Sequence, residues 1–183
     1  MNHLMLVNRA NPYRGKNKTL VAFKNTNVLL SPCCSANLSK LMEELDAWGQ
    51  IEIVSGWRSQ QEQEQIYADS LAENGLAFTE QYVALPGHSE HQTGLAVDLA
   101  LHQAEIDTLC PYFPYTGICE TFRELAPRYG LIERYPKGKE AITGIAHEPW
   151  HFRYVGAAHA MMMKQMGLTL EEYLETIVWR EVK

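Results

Sequence analysis

Three short stretches of this sequence carry side chains that could build a hydrolytic zinc site. They are SGWRS at 55–59, SEHQTGLAVD at 89–98 and EPWH at 148–151. Between them they supply imidazoles, carboxylates and a guanidinium. A catalytic zinc takes three protein ligands and leaves one position open for water. A peptidase also needs a base for that water and a positive group for the oxyanion. Together the stretches indicate metal-dependent peptide hydrolysis.

The predicted metal ligands are His91, Asp98 and His151. Asp98 lies within the apolar run 95–101, where a charged group is costly unless it is paired or binds a metal. His91 precedes Gly94, at which the chain can turn. From these residues alone, an edge-strand aspartate and a loop histidine are an equally good interpretation.

A second histidine gives the segment 147–151 a misleading resemblance to a helical zinc motif. The letters HEPWH match His-Glu-x-x-His, in which histidines four apart share one helix face. However, Pro149 disfavours a helical conformation in the residue before it, and the residues after it favour strands. In an extended chain His147 and His151 would be separated by roughly 13 Å, at about 3.3 Å per residue. We therefore expect His147 to lie outside the site.

Two charged residues are candidates for the chemistry itself. Glu148 can stand beside the metal if Pro149 bends the strand, and a solvated turn carboxylate is the alternative interpretation. Arg58 carries a permanent charge that can bind a carboxylate or an oxyanion, and a structural salt bridge explains it equally well. Gln63, five residues further on, could face the same cleft.

Length and charge restrict the class of protein. With 183 residues, 16 basic and 22 acidic side chains, we expect one domain spanning residues 1–183. The absence of a Lys/Arg-rich run argues against nucleic acid or an anionic membrane as partner. We see no secretory signal and no apolar run near the ~20 residues of a membrane span. The cysteines form no Cys-x-x-Cys pair, which favours reduced thiols and a cytoplasmic location. They are Cys33, Cys34, Cys110 and Cys119, and a Cys110–Cys119 bridge stays open.

The periodicity of the chain predicts helices and strands without a βαβ rhythm. Ser59 and Glu62 form a predicted capping box for a helix that ends near Asn74. The other predicted helices are 36–48, 121–129, 157–166 and 170–182; the predicted strands are 51–54, 95–101, 131–134 and 151–155, with a loop at 76–90. The expected fold class is α+β, with a central, mainly antiparallel sheet flanked by helices.

The three motifs resemble those of a known peptidase family. SGWRS is similar to the arginine motif of the zinc D-Ala-D-Ala dipeptidases and carboxypeptidases of the VanX, VanY and VanXY group. SEHQTGLAVD resembles their Ser-x-His-(x)6-Asp motif, and EPWH their Glu-x-x-His. This group is related in fold to the Hedgehog signalling domain. The segments YVALPG at 82–87 and ITG at 142–144 are most similar to the bifunctional VanXY type.

This resemblance implies a function for each residue. It implies one Zn²⁺ per chain held by His91, Asp98 and His151, with Glu148 as catalytic base and Arg58 as electrostatic stabiliser. It further implies that Gln63 and Ser89 lie near the C-terminal end of the substrate. The implied substrates are small peptides that end in D-Ala-D-Ala, either the dipeptide or peptidoglycan precursors. Their hydrolysis would remove the target of vancomycin-type antibiotics.

Two alternatives belong to other functional classes. One is an L,D-carboxypeptidase or phage-type endolysin that cuts wall peptides with a similar zinc site. The other is a non-catalytic zinc module that binds peptides, against which Glu148 and Arg58 argue because a closed structural site needs neither. Within the peptidase interpretation, the balance of dipeptidase and carboxypeptidase activity should depend on how far segments 76–90 and 110–120 close the cleft.

Overall fold

The computed structural model describes residues 2–15 and 19–181. Its strands are β1 (Val21–Ala22), β2 (Leu29–Leu30), β3 (Ile51–Ser55), β4 (Ala96–Leu101), β5 (Leu131–Tyr135) and β6 (Glu148–Tyr154). Its α-helices are α1 (Pro32–Glu44), α2 (Gln60–Asn74), α3 (Leu76–Tyr82), α4 (Gly117–Leu125), α5 (Glu140–Thr143), α6 (Ala157–Met166) and α7 (Leu170–Glu181). Two 3-10 turns, Glu90–Thr93 and Ala126–Tyr129, complete the order.

A four-stranded sheet in the order β3-β4-β6-β5 forms the centre of the molecule, and each neighbouring pair is antiparallel. β1 and β2 form a separate two-stranded sheet. The main core contains three phenylalanine rings, Phe113, Phe122 and Phe152, packed edge to face. A smaller core cluster, which includes Ile132, Met163 and Leu170, joins α6 and the start of α7 to β5. The expected α+β class is confirmed.

The predicted capping box at the start of α2 is present. The Ser59 hydroxyl accepts the Glu62 N–H at 3.1 Å, and the Glu62 carboxylate accepts the Ser59 N–H at 2.7 Å. These bonds satisfy two helix N–H groups that would otherwise lack acceptors. They also fix where the helix begins, so that Arg58 precedes it and Gln63 lies in its first turns.

Several predicted boundaries differ from those observed. Helix α1 begins at Pro32, earlier than the predicted residue 36, because Ser31 caps it and proline is well suited to the first helical turn. The segment 76–90, predicted as a loop, contains α3. The helix predicted at 121–129 starts at Gly117, and its last residues form a 3-10 turn around Pro127, which has no N–H for an α-helical bond.

Two further observations bear on the expectations from composition. All four cysteines are unpaired, so the Cys110–Cys119 bridge is not formed. Over residues 2–15 and 19–181, none of the helices combines the length and the apolar character needed to cross a bilayer.

Candidate metal centre

Strand pairing and one tight turn bring the three predicted ligands together. Asp98 on β4 lies directly opposite His151 on β6 in the antiparallel register. His91 belongs to the 3-10 turn that leads into β4, and this turn ends at Gly94 with φ +70°. A Cβ at Gly94 would lie 2.8 Å from the Leu20 side chain. The turn that returns His91 to Asp98 therefore requires glycine, both for its backbone angle and for space.

The donor atoms of these residues face one another in a buried cluster. His91 Nε2 lies 3.1 Å from Asp98 Oδ2, and His151 Nδ1 lies 2.9 Å from Asp98 Oδ1. One donor atom from each residue lies within 4.8 Å of the other two. Around a tetrahedral zinc with bonds of about 2.0–2.2 Å, donor atoms are roughly 3.4 Å apart. Two imidazoles and a carboxylate at this spacing fit a zinc ion with an open coordination position.

The second nitrogen of each imidazole faces an oxygen behind the cluster. His91 Nδ1 is 2.6 Å from the Gly56 carbonyl oxygen, to which it donates, so its Nε2 lone pair is directed at the metal position. His151 Nε2 faces Glu90 Oε2 at 3.6 Å, which leaves its Nδ1 beside Asp98. Oxygen partners on the outer nitrogen are typical of metal-binding histidines, because a hydrogen bond there fixes the tautomer.

The pKa values of Asp98 and His151 indicate that metal binding would displace a proton from this cluster. Burial alone would raise the pKa of Asp98, but His91 and His151 hold it well below its ordinary value. Burial would lower the pKa of His151, but the carboxylates of Asp98 and Glu90 on either side of the ring raise it to about 9. Without a metal, the two carboxylates thus favour the protonated form of His151. Because a metal binds neutral imidazole, its binding would release that proton and depend on pH.

Glu148 lies beside the three ligands and outside their donor set. Its Oε2 is 3.8 Å from His151 Nδ1. One residue separates Glu133 from Tyr135 on β5, whereas three separate their partners Phe152 and Glu148 on β6. Pro149 lies inside this bulge, where its missing N–H removes one bond of the ladder. The bulge explains how Glu148 and His151, at odd spacing on a strand, reach the same pocket.

The buried Glu148 carboxylate should destabilise the metal-free protein at alkaline pH. Burial, with Asp98 nearby, raises the pKa of Glu148 from 4.5 to about 8. The unfolded chain loses this proton near pH 4.5 and the folded chain only near pH 8, so stability falls as pH rises between these values. At about 1.4 kcal/mol per pKa unit the effect is on the order of a few kcal/mol.

Glu148→Gln should therefore raise the Tm of the metal-free protein at pH 8 and leave it nearly unchanged at pH 4.5. Thermal unfolding with chelator at both pH values measures this, with the exposed Glu73→Gln on α2 as control. Equal Tm shifts at both pH values would show that the carboxylate is not buried as described.

Arg58 approaches the cluster from the residue before α2. Its Nη2 donates to Asp98 Oδ2 at 2.8 Å, and its Nε donates to the Ser55 hydroxyl at 3.0 Å. The side chain is 18% exposed and lines the cleft above the ligands. The guanidinium thus forms the salt bridge considered from the sequence, and it also presents positive charge to the cleft.

Gln63 and Ser89 occupy different positions relative to the cleft. Ser89 lines it, and its hydroxyl accepts the His91 N–H at 3.3 Å. Gln63 is fully buried and donates to the Ala84 carbonyl oxygen at 2.8 Å. Gln63 therefore supports the cleft wall from behind in this structure, and its direct contact with substrate stays a prediction.

His147 lies away from the ligand cluster, as expected from Pro149. Its Nε2 is 2.7 Å from the Tyr115 hydroxyl and 3.7 Å from Glu133, and its ring stacks on that of Tyr115. The metal-binding group found among the described residues contains His91, Asp98 and His151 but not His147.

Sequence reasoning missed Tyr135, which lines the cleft opposite Glu148 in the β5–β6 register. Its ring lies 5.0 Å from that of His151, and burial among carboxylates keeps its pKa well above the ordinary value. A neutral phenol at this wall is a hydrogen-bond donor for an anionic ligand. No local pattern distinguishes Tyr135 from other strand tyrosines, because only the register places it here.

The cleft above the three ligands is lined by Arg58, Ser89, Tyr135 and Glu148, so polar groups converge on the metal position. A family model for VanY, D-alanyl-D-alanine carboxypeptidase, matches residues 27–157, a span that contains all three motifs. This chain belongs to the VanY family of D-alanyl-D-alanine carboxypeptidases. The family assignment predicted from the sequence is confirmed.

Individual relatives within this family are similar over nearly the whole chain. The bifunctional D-Ala-D-Ala dipeptidase and carboxypeptidase VanXYC of Enterococcus gallinarum is 42% identical over 94% of both chains. The structure of VanXYg, a vancomycin resistance D,D-dipeptidase in complex with a D-Ala-D-Ala phosphinate analogue, superposes with a TM-score of 0.95. It is 49% identical, over 96% of this chain and 71% of that one.

A third relative bears on the metal. The structure of a mutant VanY D,D-pentapeptidase from the VanB-type resistance cassette, in complex with Zn(II), superposes with a TM-score of 0.79. It is 35% identical, over 95% of this chain and 99% of that one. This zinc-bound relative and the buried His-Asp-His group indicate a metal site in this chain.

Proposed function

We propose that this protein is a zinc-dependent D,D-peptidase. It hydrolyses the D-Ala-D-Ala dipeptide, removes the terminal D-Ala of peptidoglycan precursors, or does both. The observation that carries the proposal is the convergence of His91, Asp98 and His151, with the carboxylate of Glu148 3.8 Å from His151 and outside the donor set. The similarity to VanXYC and VanXYg supports this substrate class.

Each residue of the cleft then has a chemical role. When bound, zinc would supply a Lewis acid that lowers the pKa of a water molecule and polarises the scissile carbonyl. Glu148 accepts the proton of the attacking water and later donates it to the departing amine. Burial raises the pKa of this carboxyl above its ordinary value, and a cation bound at the neighbouring ligands would lower it, so that the carboxylate can act as a base. The guanidinium of Arg58 faces the negative charge that develops on the carbonyl oxygen.

Two hydroxyl groups can bind the free carboxylate of the substrate. Ser89 and Tyr135 both line the cleft, and each can donate its O–H to an anion. Binding at this end would explain selectivity for a C-terminal residue. Gln63 would act through the wall at Ala84, to which it donates a hydrogen bond.

Replacing Arg58 by alanine should lower kcat by about 10²–10³ while KM changes far less, because the charge it stabilises develops in the transition state. Steady-state kinetics with saturating zinc measure both constants. Arg58→Lys, which keeps the charge but loses the planar fork, should be intermediate. Zinc content must be checked in each variant since Arg58 also contacts Asp98. A raised KM with unchanged kcat would make Arg58 a binding residue only.

The substrate class is tested by D-alanine release from three peptides in the presence of zinc. They are D-Ala-D-Ala, a precursor pentapeptide ending in D-Ala-D-Ala, and the tetrapeptide that lacks the last D-Ala. We expect release from one or both of the first two. Release from the tetrapeptide alone would favour the L,D-carboxypeptidase, and zinc binding without any release would favour the non-catalytic module.

The proposal also includes one zinc ion per chain, a single domain and a cytoplasmic location. One zinc per chain is supported by the one His/Cys/Asp/Glu group with metal-binding spacing that the described residues contain. A single domain over residues 1–183 is supported by a central sheet whose strands span 51–154. Four unpaired cysteines favour a reducing, cytoplasmic location. There the enzyme would remove the D-Ala-D-Ala ends that vancomycin-type antibiotics bind.

A further inference from the structure

A buried ionic cluster lies directly behind the metal site and contributes no ligand to it. Its members are Glu90 from the 3-10 turn, Arg134 from β5, Arg153 from β6 and Glu171 from α7. The side chains of Glu90 and both arginines have no exposed surface, and that of Glu171 is 11% exposed. Burying ionic groups carries a large desolvation cost, which is offset only by good geometry. The cluster therefore calls for an explanation beyond packing.

The arginines occupy one oxygen of Glu90 and leave the other directed at the metal site. Arg134 Nε and Arg153 Nη1 both lie 2.8 Å from Glu90 Oε1. Glu90 Oε2 makes no hydrogen bond among the described residues, nor does His151 Nε2, and both atoms are buried. These two atoms face each other at 3.6 Å. At this distance the carboxylate and the ring are in ionic contact, and a small movement would bring them within hydrogen-bond range.

Arg134 joins this carboxylate to the C-terminal helix. Its Nη1 and Nη2 donate to the two oxygens of Glu171 at 2.9 and 2.6 Å, while its Nε donates to Glu90. A planar guanidinium held along two edges has little freedom to rotate. Glu171 on α7 thus fixes the guanidinium that, together with Arg153, holds Glu90 behind His151.

We propose that Glu90 is a positioning residue for the metal ligand His151, and that Glu171 positions Glu90 through Arg134. When His151 binds the metal, the Glu90 carboxylate would close the 3.6 Å gap and accept its Nε2–H. This bond would orient the ring, keep Nδ1 as the coordinating atom and strengthen it as a donor. Helix α7 is thereby part of the metal centre without contacting it. The inference rests on the proposed function only in requiring that this site binds zinc.

The competing explanation is that Glu171 only docks α7 on the sheet. A comparison with the next residue of the helix distinguishes this docking role from a positioning role. Glu172 also forms an ion pair at two short contacts, with Lys139 at 2.8 and 3.0 Å, and its carboxylate accepts the Thr169 N–H. Glu172 therefore holds α7 at least as firmly, but its contacts with Lys139 and Thr169 do not lead to Glu90 or His151. It is a matched control on the same helix.

The test is the zinc Kd of the full chain, measured by competition with a chromophoric chelator, for the wild type, Glu171→Gln and Glu172→Gln. Glu171→Gln should weaken zinc binding roughly 2- to 30-fold, the range for changes within a coupled network. Glu172→Gln should leave the Kd unchanged even if its Tm falls as far. Glu90→Gln, where it folds, should weaken binding about 10- to 100-fold.

The absorption spectrum of the cobalt-substituted protein gives a second readout of ligand geometry. It should change in Glu171→Gln and not in Glu172→Gln. Equal zinc affinities and identical cobalt spectra in both variants would overturn the inference, as would an equal loss in both. This outcome is separable from the peptidase proposal. If the three proteins show the expected zinc Kd values but the wild type releases no D-alanine, the proposed function is refuted and the positioning role stands. If the wild type is active but Glu171→Gln and Glu172→Gln bind zinc equally well, the positioning role is refuted and the function stands.

Discussion

Glutamine in place of Glu148 should lower kcat by about 10²–10⁴, the usual contribution of a positioned general base, while zinc binding is kept. Glutamine matches glutamate in shape but cannot take a proton from water. Glu148 lies outside the group of three donors, so its loss removes no ligand. Kinetics with D-Ala-D-Ala and metal analysis of the same preparation measure the two quantities together.

Glu148→Asp is the matched variant for this experiment. It keeps a carboxylate but withdraws it by one methylene, so we expect activity between that of the wild type and Glu148→Gln. A Glu148→Gln protein that retains more than about a tenth of the wild-type kcat would refute the base assignment. One that loses zinc would instead make Glu148 a ligand.

Alanine in place of His151 should abolish both zinc binding and hydrolysis, whereas alanine in place of His147 should preserve both. His151 Nδ1 faces Asp98 at 2.9 Å, while the His147 ring, just before β6, stacks on Tyr115. A site with two ligands left of three cannot hold a catalytic zinc at ordinary concentrations. Equilibrium dialysis followed by metal analysis, with D-alanine release on the same samples, makes the comparison.

The His147→Ala and His151→Ala variants are matched controls, because the two histidines lie four residues apart in the same segment. Chelation of the wild type should reproduce the His151→Ala result, and added zinc should reverse it in the wild type only. Loss of zinc in His147→Ala with retention in His151→Ala would mean that the letters HEPWH do form a zinc motif, contrary to the geometry described above.

Local rules supported the three predicted ligands, although the family resemblance was needed to choose them over a salt-bridged aspartate and a loop histidine. Pro149 rules out a helix between His147 and His151, and an aspartate in an apolar strand needs a partner. The capping box at Ser59 and Glu62 is equally local, and it is observed as predicted. In each case the residues that determine the outcome lie within a few positions of one another.

Features set by strand register could not be predicted. The extra residues in β6 that bring Glu148 beside His151 depend on pairing with β5. The same pairing places Tyr135 on the cleft wall. Glu90 looked like an ordinary residue between Ser89 and His91, because its arginine partners come from 44 and 63 residues further along the chain, at Arg134 and Arg153.

Crystals of the wild-type protein grown with zinc, with anomalous diffraction recorded at the zinc absorption edge, would locate the metal ion itself. We predict one strong peak per chain, within bonding distance of His91 Nε2, His151 Nδ1 and an Asp98 oxygen, with both oxygens of Glu148 outside bonding distance. A peak at His147, a peak ligated by Glu148, or no peak between residues 91, 98 and 151 would contradict the account.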